Sequence, residues 1–179
     1  MSAVATAQPT AYPTGFRSRR GLNWVSIGLL YGAYYMCRYN FRFATPGMIA
    51  EFHFTTSQIT DMIAIWSLAY GTGQLINGLL TDRIGGRASL LIGAVGTIAI
   101  NLIFGFSSLA GTFPPFSLIW LLNGYLQSYG CPGMVKINAA WFARQERGTF
   151  SGIFGLMIQL GQVAVSLSLI HISEPTRPY

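Results

Sequence analysis

Residues Gly78–Arg87 read GLLTDRIGGR, a short polar interval between two long apolar runs. A glycine stands four residues before Asp82, Arg83 follows directly, and a Gly-Gly pair precedes Arg87. Each element has a physical role. Gly78 lacks the side chain that would keep a neighbouring helix at a distance. Asp82 and Arg83 carry opposite charges at a helix end and can pair across it, while Gly85 and Gly86 allow a tight turn without a Cβ penalty. A loop that only marks topology needs the arginines, but neither the acid nor the spacing. The stretch therefore carries more than a topology signal, and Gly78, Asp82, Arg83, Gly85 and Arg87 are its candidate residues.

Outward from this loop the chain is apolar. Of its 179 residues 51% are hydrophobic and 9% charged, against roughly 25% charged in soluble domains. Five spans near the ~20 residues that cross a bilayer core follow: about 22–43, 58–80, 88–106, 116–139 and 148–170. Arg17, Arg19 and Arg20, then Arg83 and Arg87, then Arg144 and Arg147 flank alternate span ends, and the stretches 45–57 and 107–115 hold no Lys or Arg. That asymmetry predicts a cytoplasmic N-terminus. The net charge of +6 is scattered among these loops rather than gathered on one face, which argues against nucleic acid. No nucleophile–base set or metal-ligand cluster stands out, so neither an enzyme nor a metal or cofactor is expected. Cys37 and Cys131 fall within spans and read as small hydrophobes.

Residues 1–21 read as a disordered cytoplasmic tail and 22–166 as the helical bundle. The stretch Leu167–Arg177, LSLIHISEPTR, matches the translation of a transposase adapter used in sequencing libraries, so 167–179 is expected to be foreign and the natural chain to continue past Ser166.

A second stretch, Tyr34–Phe43, YYMCRYNFRF, carries two cations inside the first span. A charge deep in a bilayer costs about 2.5–3.5 kcal/mol on insertion scales and usually faces a water-filled path. Tyr31, Tyr34, Tyr35, Arg38 and Arg42 recur at helical spacing and form one aromatic, cationic face. The guanidinium of Arg38 offers a planar fork suited to phosphate oxygens. Arg42 has two readings: it extends that site, or it snorkels to the outer interface. On the fourth span Asn123, Gln127, Gly130 and Met134 form a stripe, in which Gln127 either lines the cavity or holds helices together. Lys136 is placed to snorkel to the cytoplasmic surface. On the fifth span Gly148, Gly152 and Gly155 suit close packing, and Gln159 and Gln162 suit a cavity lining.

The loop GLLTDRIGGR resembles the signature of the major facilitator superfamily between its second and third helices. YGAYYMCRYNF, SLAYGTGQLINGLLTDRIGG, NGYLQSYGCPG and WFARQERGTFSGIFG are similar, more narrowly, to the organophosphate:phosphate antiporters. The resemblance implies an all-α membrane protein holding five transmembrane helices of the amino-terminal six-helix bundle of a twelve-helix fold. It implies secondary transport of a phosphate ester exchanged for inorganic phosphate by alternating access, in a bacterial inner membrane. The partners would be the anionic substrate, phosphate, lipid and a missing second bundle, without which these helices are inactive. The family's phosphate-binding arginine falls on Arg38, so the candidate substrate residues are Arg38, Tyr34, Tyr35, Tyr31, Arg42, Gln127 and Gln159. Where the family often has two lysines and a histidine, this chain has Tyr39, Gln74 and Ile158. That departure keeps two alternatives open: a non-transporting sensor of sugar phosphates, and a proton-coupled permease for carboxylates or other anions using Asp61.

Overall fold

The computed structural model describes residues 13–106 and 111–173, and all regular structure among them is helical. The helices are α1 (Phe16–Phe52), α2 (Thr56–Ile84), α3 (Gly86–Phe106), α4 (Phe113–Gln127), α5 (Gly130–Trp141) and α6 (Arg147–Ser173). They form five rods, because α4 and α5 are halves of the fourth, separated at Ser128–Tyr129. Among the closest pairings, α2 lies against α4 and α1 against α6, while α3 packs along both α4 and α5.

The polarity of this bundle is inverted relative to a protein in water. Leu75 and Leu79 are 75% and 73% exposed, whereas Asn77 and Gln127 are 0% and 1% exposed. Helices facing hydrocarbon gain nothing by hiding leucine, and gain most by pairing their polar groups with one another. Among the described residues, one helix, α3, is by length and composition apolar enough to cross a membrane. The other rods are diluted by the polar side chains that face inward and by charges at their ends, and the fourth is divided. Five rods are thus present, while five separate spans are not established by composition.

Three expectations about the ends need correction. The tail placed over 1–21 is helical from Phe16. Phe16 stacks on Trp141 with ring centroids 5.9 Å apart, and Arg20 pairs with Glu146 at 2.9 Å, so these residues are held by the far end of the bundle. The first rod also runs nine residues beyond the expected Phe43, to Phe52, through Pro46. A proline inside a helix costs about 3 kcal/mol. Phe41 and Met48, before and after the proline, both pack in one cluster with Phe116 and Trp120, which holds the helix on its course. The helix ends at His53, in the left-handed region at φ 55°. At the other end, α6 continues to Ser173. Residues 1–12 and 107–110, and the rest of the stretch after Ser173, lie outside the described residues.

The break in the fourth rod has a covalent cause. Pro132 has no N–H to donate to the Ser128 carbonyl, so the ladder is interrupted there. The loosened turn joins three neighbours. Ser128 Oγ accepts from Asn77 Nδ2 of α2 at 2.7 Å, and the Tyr129 carbonyl accepts from Ser89 Oγ of α3 at 3.1 Å. Gln127, the preceding residue, reaches Arg38 of α1.

Close approach uses other glycines than those expected. Among the described residues nothing stands within 4 Å of a Cβ added at Gly78, Gly148, Gly152 or Gly155, so these glycines do not pack helices of this chain. The tight contact is between Gly86 and Gly133: a Cβ at Gly133 would lie 3.0 Å from the Gly86 carbonyl and the Leu90 amide. Backbone atoms cannot step aside as a flexible side chain can. Gly133→Val should therefore destabilise the bundle by about 1–3 kcal/mol, whereas Gly78→Ala should leave stability unchanged or slightly raised. Thermal unfolding in detergent compares the two, and equal loss would contradict the packing described.

Candidate functional site

Arg38 is half-buried between α1, α2 and α4. Its Nε donates to Oε1 of Gln127 at 3.1 Å. Its guanidinium carbon lies 4.6 Å from the centroid of the Tyr35 ring, 4.7 Å from Trp66 and 4.5 Å from Tyr70. Trp66 and Tyr70 are themselves stacked, with centroids 5.0 Å apart. Each cation–π contact contributes about 0.5–1 kcal/mol, and more when desolvated. A hydrogen bond to a charged group adds about 1.5–3 kcal/mol. Together these match the insertion cost of the charge, so Arg38 is held without an ion pair to any of the described residues.

The support behind Arg38 is a chain of amides. Gln127 Nε2 donates to Asn123 Oδ1 at 2.9 Å, and the same oxygen accepts from Trp66 Nε1 at 3.1 Å. Gly124 brings α4 onto α2 at this level, since a Cβ there would stand 2.6 Å from the Trp66 carbonyl. The terminal nitrogens of Arg38 carry the donors that Gln127 does not use, with the Tyr35 side chain close beside them.

The structure gathers some of the expected residues and disperses others. Arg38, Tyr35 and Gln127 come together. Tyr34 turns to α3, where its hydroxyl donates to the Leu90 carbonyl at 2.9 Å. Tyr31 is buried in a cluster with Phe154 of α6. Arg42 and Gln159 are exposed, away from these contacts. Tyr39 accepts from Gln162 Nε2 at 3.1 Å, and Ile158 packs against the cluster around Tyr31, so these two departures serve contacts with α6 and around Tyr31. Asp61 is exposed on α2. Trp66 and Tyr70 are additions. Their signal was a pair of amphipathic aromatics four residues apart inside an apolar run.

The loop after α2 is a single residue. Gly85 takes φ 88° and ψ 154°, a conformation open essentially only to glycine, and its N–H donates to the Thr81 carbonyl at 2.9 Å. Asp82 is not paired with Arg83 as expected; its partner is Lys136 of α5, at 3.0 Å. Lys136 Nζ also donates to the carbonyls of Thr81 at 3.0 Å and Asp82 at 2.8 Å. A cation at the carbonyl end of a helix satisfies orphan acceptors and opposes the negative end of the dipole. Arg83 and Arg87 are exposed. At the neighbouring loop Arg147 does the same for α5, donating to the Ala139 carbonyl at 2.8 Å and the Phe142 carbonyl at 3.1 Å.

A helical bundle with leucine outside, amides inside and Arg38 held among aromatic rings fits a membrane protein with a polar interior site. The chain belongs to the Major Facilitator Superfamily, whose sequence pattern matches residues 27–173. It is 31% identical to the membrane sensor protein UhpC of Salmonella typhimurium over 150 residues, 80% of this chain and 33% of the relative. It is 31% identical to a "Probable hexose phosphate transport protein" of Chlamydia trachomatis, over 76% of this chain and 29% of the relative. Against the glycerol-3-phosphate transporter of Bacillus subtilis the identity is 29%, over 77% and 31%. The chain spans about a third of the length of these curated relatives. No solved structure matches it. The relatives are named as transporters and a sensor, and the chain is accordingly a membrane protein of a transporter family rather than an enzyme.

The clamp on the end of α2 separates two contributions. An exposed ion pair is worth under about 1 kcal/mol, so Asp82→Asn should have a small effect on thermal stability. Lys136→Met also strips the Asp82 carbonyl of its Lys136 donor and the Thr81 carbonyl of one of its two, and should lower the unfolding midpoint further. Indistinguishable midpoints for the two variants would refute the capping role.

Proposed function

We propose that the protein is a secondary transporter of an organic anion, a phosphate ester exchanged for inorganic phosphate, with Arg38 as the anion anchor of its amino-terminal bundle. The observation that carries this reading is the state of the Arg38 guanidinium, held at Nε by Gln127 and walled by three rings, so that Gln127 leaves its terminal nitrogens available. Two parallel N–H donors suit two oxygens of a phosphate, and a low-polarity wall strengthens the attraction. Relatives named for hexose phosphate and glycerol-3-phosphate transport support the substrate class.

In this reading the arginine-bearing loops and the N-terminus face the cytoplasm of a bacterial inner membrane. A second bundle brings the partner cation, and rocking of the bundles exposes the site alternately. The five helices alone do not exchange. Tyr35, Tyr70 and Gln127 line the anchor; Tyr31 and Tyr34 support its helix from behind; Arg42 and Gln159 act outside the immediate contacts of Arg38.

A membrane sensor is the second reading, favoured by the 31% identity to UhpC over 80% of the chain. The same pocket would then bind a sugar phosphate without carrying it.

The test is counterflow of a labelled phosphate ester into phosphate-loaded vesicles containing the full-length protein. Arg38→Lys keeps the charge and removes the fork, and should reduce uptake at least about tenfold. Undiminished transport by this variant would overturn the assignment of the anchor. Saturable binding with no counterflow in the unmodified protein would decide for the sensor.

A further inference from the structure

We propose that Trp66 and Asn123 are positioning residues that fix the direction of the Gln127 amide and so aim Arg38 at its ligand; this rests on the reading of Arg38 as an anion anchor. The argument is one of hydrogen-bond polarity. An indole N–H can only donate. Trp66 Nε1 therefore requires an acceptor, and at 3.1 Å it meets Oδ1 of Asn123. With that oxygen turned toward Trp66 and Gln127, the Gln127 group facing it must be the donor, and Nε2 lies at 2.9 Å. A primary amide has one donor end and one acceptor end, so committing Nε2 leaves Oε1 facing the other way. There it meets Nε of Arg38, which also can only donate. Reversing either amide would set donor against donor.

Burial makes the direction binding. Asn123 and Gln127 are each 1% exposed, so bulk water does not substitute for a lost partner. Asn123 Nδ2 is buried without a partner among the described residues. A core selected for stability alone would satisfy or remove that donor. Here it accompanies the carbonyl that both Trp66 and Gln127 use.

The consequence falls on Arg38. With Nε engaged from behind, the edge presented to a ligand is the one formed by the two terminal nitrogens. Loss of the relay frees the guanidinium to rotate between the rings of Tyr35, Trp66 and Tyr70 and lowers the share of time in which that edge faces the ligand.

Double-mutant cycles with Arg38→Lys test this, measuring half-saturation and maximal rate of phosphate-ester counterflow by the full chain in vesicles. Asn123→Leu should raise the half-saturating concentration about tenfold with the maximal rate within about twofold. Trp66→Phe keeps a ring over Arg38 and removes only the N–H, and should raise it about threefold; it serves also if Asn123→Leu fails to fold. In the Arg38→Lys background, which has no fork to aim, each change should add less than about twofold. Fully additive effects, or a loss confined to the maximal rate, would overturn the positioning role while leaving the anchor intact. An Arg38→Lys variant with unchanged half-saturation would instead overturn the anchor itself.

Discussion

Three consecutive residues at the break in the fourth rod hold three different helices. Gln127 takes the guanidinium of α1, Ser128 takes the amide of Asn77 on α2, and the Tyr129 carbonyl takes the hydroxyl of Ser89 on α3. In hydrocarbon each of these groups would be expensive to leave unpaired. Two of these contacts use side chains, which successive helical residues turn toward different neighbours, and the third uses the Tyr129 carbonyl, which also accepts from the Gly133 N–H at 3.2 Å. The polar interior is assembled around this turn, beside the interruption at Pro132.

From that point the network continues in two directions. Toward the middle of the bundle it runs through Gln127 and Asn123 to Arg38 and Trp66. Toward the short loop it runs through Asn77, Thr81 and Ser89 to the end of α2, where Lys136 closes it. The balance at Arg38 illustrates how this interior tolerates a charge. Three rings and one amide share the work that a carboxylate would do elsewhere. A carboxylate would neutralise the cation, whereas rings and an amide leave its charge available to an anion.

Much of the architecture was legible in sequence because length and apolarity are local properties. The runs that became α2, α3 and α6 were bounded within a few residues by loop arginines and glycines. The first rod was read too short at both ends, since its extensions depend on distant partners: Trp141 and Glu146 at one end, Phe116 and Trp120 at the other. Arg38 was legible as a charge out of place. Its companions were less so, because which aromatics meet it depends on the rotation of α2 about its axis. That rotation is set by the approach of α4 at Gly124, a contact with no local signature. Tyr34 shares a helical face with Arg38, yet it serves α3, because the face is wide enough to meet two neighbours.

The single-residue connection at Gly85 carries a mechanical meaning. With α2 and α3 joined by one residue, the backbones of α3 and α5 touching at Gly86 and Gly133, and Lys136 of α5 fastened to the last turn of α2, these three helix ends share no slack. They form a solid wedge at that end of the bundle. A displacement imposed on any one of them is transmitted to the other two.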